Sequence, residues 1–584
     1  MAETSPNTIQ GNHPQPIDDR EQHVLQFLQP LHIDDDIVHS LAYQFSQVYR
    51  HLALTSEEQF LPTPVTGLPT GSETGQFLAI DVGGTNLRVA FIELLGEGAD
   101  TGPSTHGIDR SKEAIRNAQR PRVRRTLEKA WPIGEHLKID KTEDLFAWIG
   151  DCIAEVVGDY LSNEAGTSAT PAQLDLGITF SFPMIQDELT SATLMPMGKG
   201  FTITENLDLG STLLQGYDRH TRKQDTSDEA LSRAKRRRLG PLPRLRIAAI
   251  TNDTIATLCS LAYSVKSLPN SRVAAGLIVG TGVNATVPLR FDALGVHKSE
   301  RIRRKVPMAQ ATVVNTEMTI AGASEPLKAV TTKWDEQLDK ATARPGFQPL
   351  EYMTGGRYIG ELIRLIFFDY MTNAHQPRVP PTSLPAMVVH NYSLTTTFIS
   401  AVVARARTDA ELARELKHRM PAPESSNWSW SAHTAGALRK IAHSVQVRSA
   451  GLIAAATAGL LAAVGEIGLN QPASLSGLPI GGAVDISNGN VADQIPKMQP
   501  GDTNNGRSWS SGPEELVIAY TGGIIQHYPN FKEHCQRFID KLMMRQGPQS
   551  GGKSVYLRES RDGGIIGAGV LAGMESIRVG TLQA

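Results

Sequence analysis

An α/β fold in two lobes is predicted from three features of the sequence. Apolar strand-like runs at residues 78–82, 87–94, 176–182, 247–250 and 277–279 are interleaved with stretches of helical spacing, the signature of strands joined by helices. Most of these runs end in short polar or glycine-bearing turns, where open α/β sheets gather ligand-binding groups. A chain of 584 residues is also longer than one hydrophobic core usually serves.

Taken in order, residues 33–51 predict an amphipathic helix, because Ile37, Leu41, Phe45 and Val48 recur on one face. A loop carrying Pro62, Pro64 and Pro69 precedes a strand with Leu78, Ile80 and Val82 on one side. Gly83 and Gly84 then turn the chain into a second strand, so 78–94 reads as a β-hairpin. The polar, basic segment 96–125 is expected to be an exposed insertion. A helix follows over 144–160 with Leu145, Ile149, Ile153 and Val157 aligned, then the strand 176–182. Strand 247–250 leads through Asn252, Asp253 and Thr254 into a helix, and strand 277–279 ends in the turn Gly280–Thr281–Gly282. Helices dominate 351–468, and 487–512 is a loop rich in Asn, Ser and Gly. A strand over 515–521 and a glycine-rich turn with an apolar run at 562–574 close the chain.

Composition excludes several classes. Hydrophobic residues make up 40% and charged residues 20%, with a formal net charge of -3, so nothing draws the chain as a whole to nucleic acid or an anionic membrane. Cys152, Cys259 and Cys535 are far apart, which is neither a disulfide framework nor a metal-ligand spacing, and an intracellular, reducing compartment is expected. The first 20 residues are polar and proline-containing; a disordered tail without a secretory signal is expected there. The apolar run 449–465 is shorter than the ~20 residues of a membrane span and reads as a buried helix. Basic clusters at Arg219–Lys223 and Lys235–Arg238 have the look of a bipartite nuclear-import signal, while a solvated surface loop accounts for them equally. No aromatic residues interleave them, so direct nucleic-acid contact is not expected.

The polar turns carry the chemistry. Gly83 and Gly84 let backbone N–H groups approach an anion, and Asp81 beside them is suited to a hydrated magnesium ion; ordinary turn chemistry is the alternative reading. Asn252, Asn284, Glu317 and Glu351 are acceptors and donors of the kind that sugar hydroxyls require. Asp253 is placed to take a hydroxyl proton, and Lys199 to steady developing charge. Capping of the following helix is the alternative for Asp253, and surface exposure the alternative for both glutamates.

Together the motifs resemble the eukaryotic hexokinase/glucokinase family of the actin-like ATPase superfamily. The resemblance runs from about Ile33 to Val579 and rests on LAIDVGGTNLRV, ITFSFP with KGF, TNDTIATL and GLIVGTGVNA. It implies a two-lobed ribonuclease H-like fold, with a small lobe over 21–244 to which a C-terminal helix returns and a large lobe over 245–584, and ATP-dependent phosphorylation of a glucose-like hexose at its 6-hydroxyl. It further implies Asp253 as the base and Ser181, Lys199, Asn252, Asn284, Glu317 and Glu351 as sugar contacts. Asp81, Gly83, Gly84, Thr85, Asn86, Thr281, Gly282, Thr396, Ser400 and Gly522 would face ATP, with magnesium held by Asp81 through water. Insertions are expected near 97–125, 215–243 and 487–512.

The chain departs from the family pattern in places. Gly198 stands where the family has a threonine, Thr521–Gly522–Gly523 where it has D-G-S, and Ile565 and Ile566 where it has a glycine and a basic residue. The isoleucines are expected to narrow the adenosine pocket. A weakly catalytic, sugar-sensing regulator, resembling atypical hexokinase-like proteins of filamentous fungi and imported into the nucleus through 219–238, is the alternative.

Overall fold

The computed structural model describes residues 19–96, 122–134, 136–137, 141–163, 171–195, 207–221, 242–265, 270–472, 514–545 and 547–583. Fourteen strands are present among them: β1 (Leu61–Pro62), β2 (Thr74–Val82), β3 (Asn86–Leu95), β4 (Val123–Pro132), β5 (Gln173–Phe180), β6 (Met184–Ile185), β7 (Thr193–Leu194), β8 (Leu207–Asp208), β9 (Arg244–Thr251), β10 (Ser271–Val279), β11 (Val283–Arg290), β12 (Ala311–Asn315), β13 (Glu515–Thr521) and β14 (Ser554–Glu559). They form a five-stranded sheet ordered β4-β3-β2-β5-β9, a six-stranded sheet ordered β1-β12-β11-β10-β13-β14 and a small β6-β7-β8 sheet.

The expected hairpin is β2 and β3, paired antiparallel with Asp81 opposite Arg88, while β2, β5 and β9 run parallel. Its side chains sort by parity. Leu78, Ile80, Val82, Leu87, Val89 and Phe91 enter one core with Ile149, Ile153 and Val157 of the helix Thr142–Asn163. Phe77, Ala79, Ala90, Ile92 and Leu94 enter the opposite core with Ile255, Leu258 and Cys259 of the helix Asp253–Val265. The sheet is therefore covered on both faces, which is why its strands read as apolar runs. Of the segment expected as an insertion, Val123–Arg125 belong instead to β4: three basic or β-branched residues pair with β3 at Leu94, Glu93 and Ile92.

The expected C-terminal helix spans 21 residues, Gly563–Gln583, and takes in the glycine-rich run that local pattern alone reads as a turn. Glycine disfavours helices, but here it permits close packing. A Cβ on Gly567 would lie 2.0 Å from the Ala256 carbonyl oxygen, and one on β5 Gly177 would lie 2.1 Å from that of Ala568. Small residues thus seat this helix against both the sheet and the helix beneath it.

All three sheets belong to one compact unit, residues 33–331, 339–358 and 449–584. A second unit comprises residues 1–32, 332–338 and 359–448. Its described part is helical and holds two buried bidentate ion pairs, Arg448 with Asp335 and Arg364 with Glu361. The Asp335 carboxyl is buried, which alone would raise its pKa, but the Arg448 guanidinium and bonds from Thr332 hold it below the usual carboxylate range. The apolar run 449–465 lies at the end of a longer helix, Ala432–Ala463, which is long and apolar enough to cross a membrane, yet its most apolar window is 94% buried in the protein. The tail through Ile17, most of the basic segment from Arg222 to Arg238, the loop 487–512 and the KGF motif lie outside the described residues.

Candidate functional site

A cleft of about 380 Å³ opens in the larger unit. Of the expected residues it gathers Asp81, Gly83, Gly84, Thr85, Asn86, Ser181, Asn252, Asp253, Thr281, Gly282, Asn284, Glu317, Glu351 and Gly522. The first and last of these, Asp81 and Gly522, are 441 residues apart in the chain, and the turns at the strand ends with the helices after them bring the set together. Lys199 and Gly198 are outside the described residues. Thr396 and Ser400 lie in the helical unit, where the buried Thr396 hydroxyl accepts the Gly360 N–H at 2.8 Å.

Asp253 opens the helix after β9, but it is not the cap. Asn252 Oδ1 accepts from Thr254 N at 3.0 Å and from Thr254 Oγ1 at 2.7 Å, so the neighbouring amide satisfies the helix start. The Asp253 carboxylate is left with no hydrogen bond among the described residues and lines the cleft. Its capping alternative is thereby answered.

On one wall, Glu317 and Glu351 are buried rather than exposed. Glu351 Oε2 accepts the Val283 N–H at 3.0 Å, and its carboxylate lies so close to Gly282 that a Cβ there would be 2.5 Å from Oε2. Glu317 has a left-handed backbone, φ 46°, and its Oε1 accepts from Asn315 Nδ2 at 2.8 Å and Asn284 Nδ2 at 3.1 Å. Ser181 is also buried, and its N–H is bonded to the Val82 carbonyl at 3.0 Å.

The opposite wall combines the hairpin tip with the start of the C-terminal helix. Burial pushes the Asp81 carboxyl up to about 6; Arg88 opposes this, while Asp253 and Asp562 add to it. Arg88 donates to Asp562 at 2.7 Å, and Arg125 lies 2.8 Å from the same carboxylate. Arg88 Nε is nevertheless buried without a hydrogen-bond partner, as is Thr257 Oγ1, and both residues line the cleft. Two orphaned donors beside a glycine hairpin suit an anionic, oxygen-rich ligand such as a polyphosphate. Of the three carboxylates Asp81, Asp253 and Asp562, the two guanidinium groups make their short contacts with Asp562, which leaves Asp81 beside the glycine hairpin as a candidate for a cation, and no cluster of three or more His, Cys, Asp or Glu ligands stands ready among the described residues. That combination suits magnesium, which takes one or two carboxylates and completes its shell with phosphate oxygens and water. At Gly522, φ 119°, a Cβ would meet the Val279 carbonyl at 2.5 Å; Gly523 faces open space.

The structure corrects the expectation for Ile565 and Ile566. Neither lines the cleft; Ile565 is buried in the apolar core that holds Leu258 and Ala568, and the partly buried Ile566 packs against it. Helical direction explains this, because the turn after Gly564 carries their side chains toward the sheet. The sequence reading did not single out Arg88, Thr257, Phe347, Gln348, Gln526 and Asp562, which also line the cleft. Arg88 and Thr257 sit inside recognised motifs and Asp562 at the head of the glycine-rich C-terminal run, so these were within reach; Phe347, Gln348 and Gln526 stand in stretches without a motif.

Two family models, both described as hexokinase, match residues 23–263 and 274–574. Among similar proteins, Hexokinase-1 of Nicotiana tabacum is 27% identical over 91% of this chain and 86% of its own length. A hexokinase of Kluyveromyces lactis is 31% identical over 53% of this chain and 52% of its own. The structure of a Schistosoma mansoni hexokinase complexed with glucose has the same fold, with a TM-score of 0.65 and 24% identity over 95% of this chain and 100% of the other. The described elements, the two glycine-framed walls and the matched models lead to one conclusion: this chain belongs to the hexokinase family.

Proposed function

We propose that the protein transfers the terminal phosphoryl group of ATP to the primary 6-hydroxyl of a glucose-like hexose. ATP-dependent hexose phosphorylation is the activity of the family, and the observation that carries the finer reading is the uncapped Asp253 carboxylate, spared by Asn252 and open to the cleft. Asp253 accepts the proton as the hydroxyl oxygen attacks phosphorus, and the bond to the leaving phosphate oxygen breaks. Asn284, Glu317 and Glu351 hold the other hydroxyls on a wall stiffened by β11 and β12. Gly83, Gly84 and Arg88 hold the phosphates; Lys199, outside the described residues, would steady developing charge as the family resemblance implies. Asp81 would hold magnesium, which supplies charge neutralisation on the phosphates. The lobes 21–244 and 245–584 are proposed to close over the sugar and exclude water.

A coupled assay with glucose, fructose and mannose tests this reading. Turnover that Asp253→Ala abolishes supports it; glucose binding without turnover in the unaltered protein favours a sensor. One observation supports the sensor as a second reading: Arg88 is engaged by Asp562 and Asp81 on a phosphate wall with three carboxylates. Nuclear entry through 219–238 is proposed as part of that second reading.

A further inference from the structure

The carboxylate of Glu317 and the amide of Asn284 are not aimed by packing alone. Asn315 ends β12, is 2% exposed and is not among the residues lining the cleft. Its backbone is held on both sides, opposite Thr286 of β11 and opposite Leu61 of β1. Its side chain touches two cleft residues at once. Asn315 Oδ1 accepts from Asn284 Nδ2 at 2.7 Å, and Asn315 Nδ2 donates to Glu317 Oε1 at 2.8 Å.

The order of donors and acceptors is fixed from one end. The Ala285 N–H can only donate, and it donates to Asn284 Oδ1 at 2.8 Å. Asn284 Nδ2 must therefore face Asn315 Oδ1 and Glu317 Oε1. Turning either amide over would set oxygen against oxygen or N–H against N–H. Both hydrogens of Asn284 Nδ2 are thus used within the trio. Toward the cleft, Asn284 can offer only a lone pair of Oδ1, and Glu317 only carboxylate lone pairs.

We infer that Asn315 is a positioning residue for sugar recognition: it locks Asn284 and Glu317 into an acceptor-only face that selects a substrate group able to donate a hydrogen bond. This rests on the hexose reading above. Glu317 adopts its left-handed backbone within this bonding frame, which also includes Gln59 Nε2 donating to the Glu317 carbonyl at 3.0 Å.

The test is calorimetry and steady-state kinetics on the full chain and on Asn315→Leu and Asn315→Asp. The leucine removes the amide at similar volume; the aspartate still accepts from Asn284 but sets a second carboxylate against Glu317. For both, the glucose Kd and KM are expected to rise about tenfold or more, with kcat and the KM for ATP within about threefold of the parent. A glucose KM within about twofold of the parent, or equal losses in both KM values and in kcat, would overturn the inference. Should neither variant fold, the unaltered protein is read with deoxy and fluoro derivatives of glucose at each ring position. At the position facing the trio, fluorine is expected to be as poor as hydrogen, each at least about tenfold weaker than the hydroxyl. Fluorine restoring affinity wherever hydrogen loses it would refute an acceptor-only face. Absence of glucose binding by the unaltered protein would instead refute the hexose reading itself.

Discussion

Asp81 and Arg88 stand directly opposite one another in the β2–β3 hairpin, with Arg88 Nε 3.7 Å from Asp81 Oδ2. The separation is longer than a hydrogen bond, and the guanidinium spends its short contact on Asp562 instead. Asp81 is consequently a half-buried carboxylate only partly neutralised, at the place where a triphosphate and its cation would sit.

Its titration sets a pH dependence. An acid raised from 3.8 to about 6 is protonated more readily in the folded state than in the unfolded one. Between those values the native chain binds more protons, so this group makes the protein more stable as pH falls from about 6 towards 3.8. Its ionised form is a cost above pH 6. Asp81→Asn should therefore raise the melting temperature by a few degrees at pH 7.5, with little difference at pH 4.5. The same change should lower kcat/KM for ATP by roughly a hundredfold or more, the usual scale for losing a group that stabilises transferred charge. For the unaltered enzyme, kcat/KM for ATP should fall as pH drops through about 6. Thermal melts and kinetics across pH 4.5–8 check both.

Asp253→Asn should reduce kcat by about 10²–10⁴-fold, the typical range for a general base. The melting temperature and glucose Kd should change little, because Asn252 caps the helix. Asn252→Ala should instead cost about 0.5–2 kcal/mol of stability through the lost cap. Denaturant unfolding alongside single-turnover kinetics separates the two residues.

Gly567→Ala should destabilise the protein by at least about 1–3 kcal/mol, the cost of overpacking, since the new methyl would lie 2.0 Å from the Ala256 carbonyl oxygen with no flexible side chain to yield. Soluble yield and melting temperature report it. Survival of this variant at parental stability would mean that the C-terminal helix is not seated on the helix Asp253–Val265.

Restoring the family's basic residue with Ile566→Lys should not improve the KM for ATP, because Ile566 turns toward the core and not into the cleft. Lower stability with unchanged or poorer ATP kinetics is expected. A several-fold lower KM for ATP would show that this position reaches the nucleotide.

Removing the basic character of Lys235–Arg238 by alanine should leave a fluorescently tagged protein outside the nucleus, if that segment directs import. Unchanged distribution would leave a solvated loop as its reading.

The hairpin at Asp81, its parity of buried residues and the motif around Asp253 were legible in the chain, because period-two apolar patterning and local turn chemistry act over a few residues. So was the burial of 449–465, which follows from its length and composition. The β4 start at Val123 was hidden, since Val123 is followed by two arginines that pair through backbone groups any side chain permits. The C-terminal helix followed from the family resemblance and not from local pattern: glycine opposes it locally, and close packing against Ala256 and β5 favours it.

By itself, the sequence determined the strand and helix order, the family and most of the groups that line the cleft. The tertiary structure alone decided which of those groups remain free for chemistry. It assigned the helix cap to Asn252 rather than Asp253, turned Ile565 and Ile566 inward, and hung Asn284 and Glu317 on Asn315. Each is a question of direction in space between residues distant in the chain or competing for one donor, and local pattern carries no information about which competitor wins.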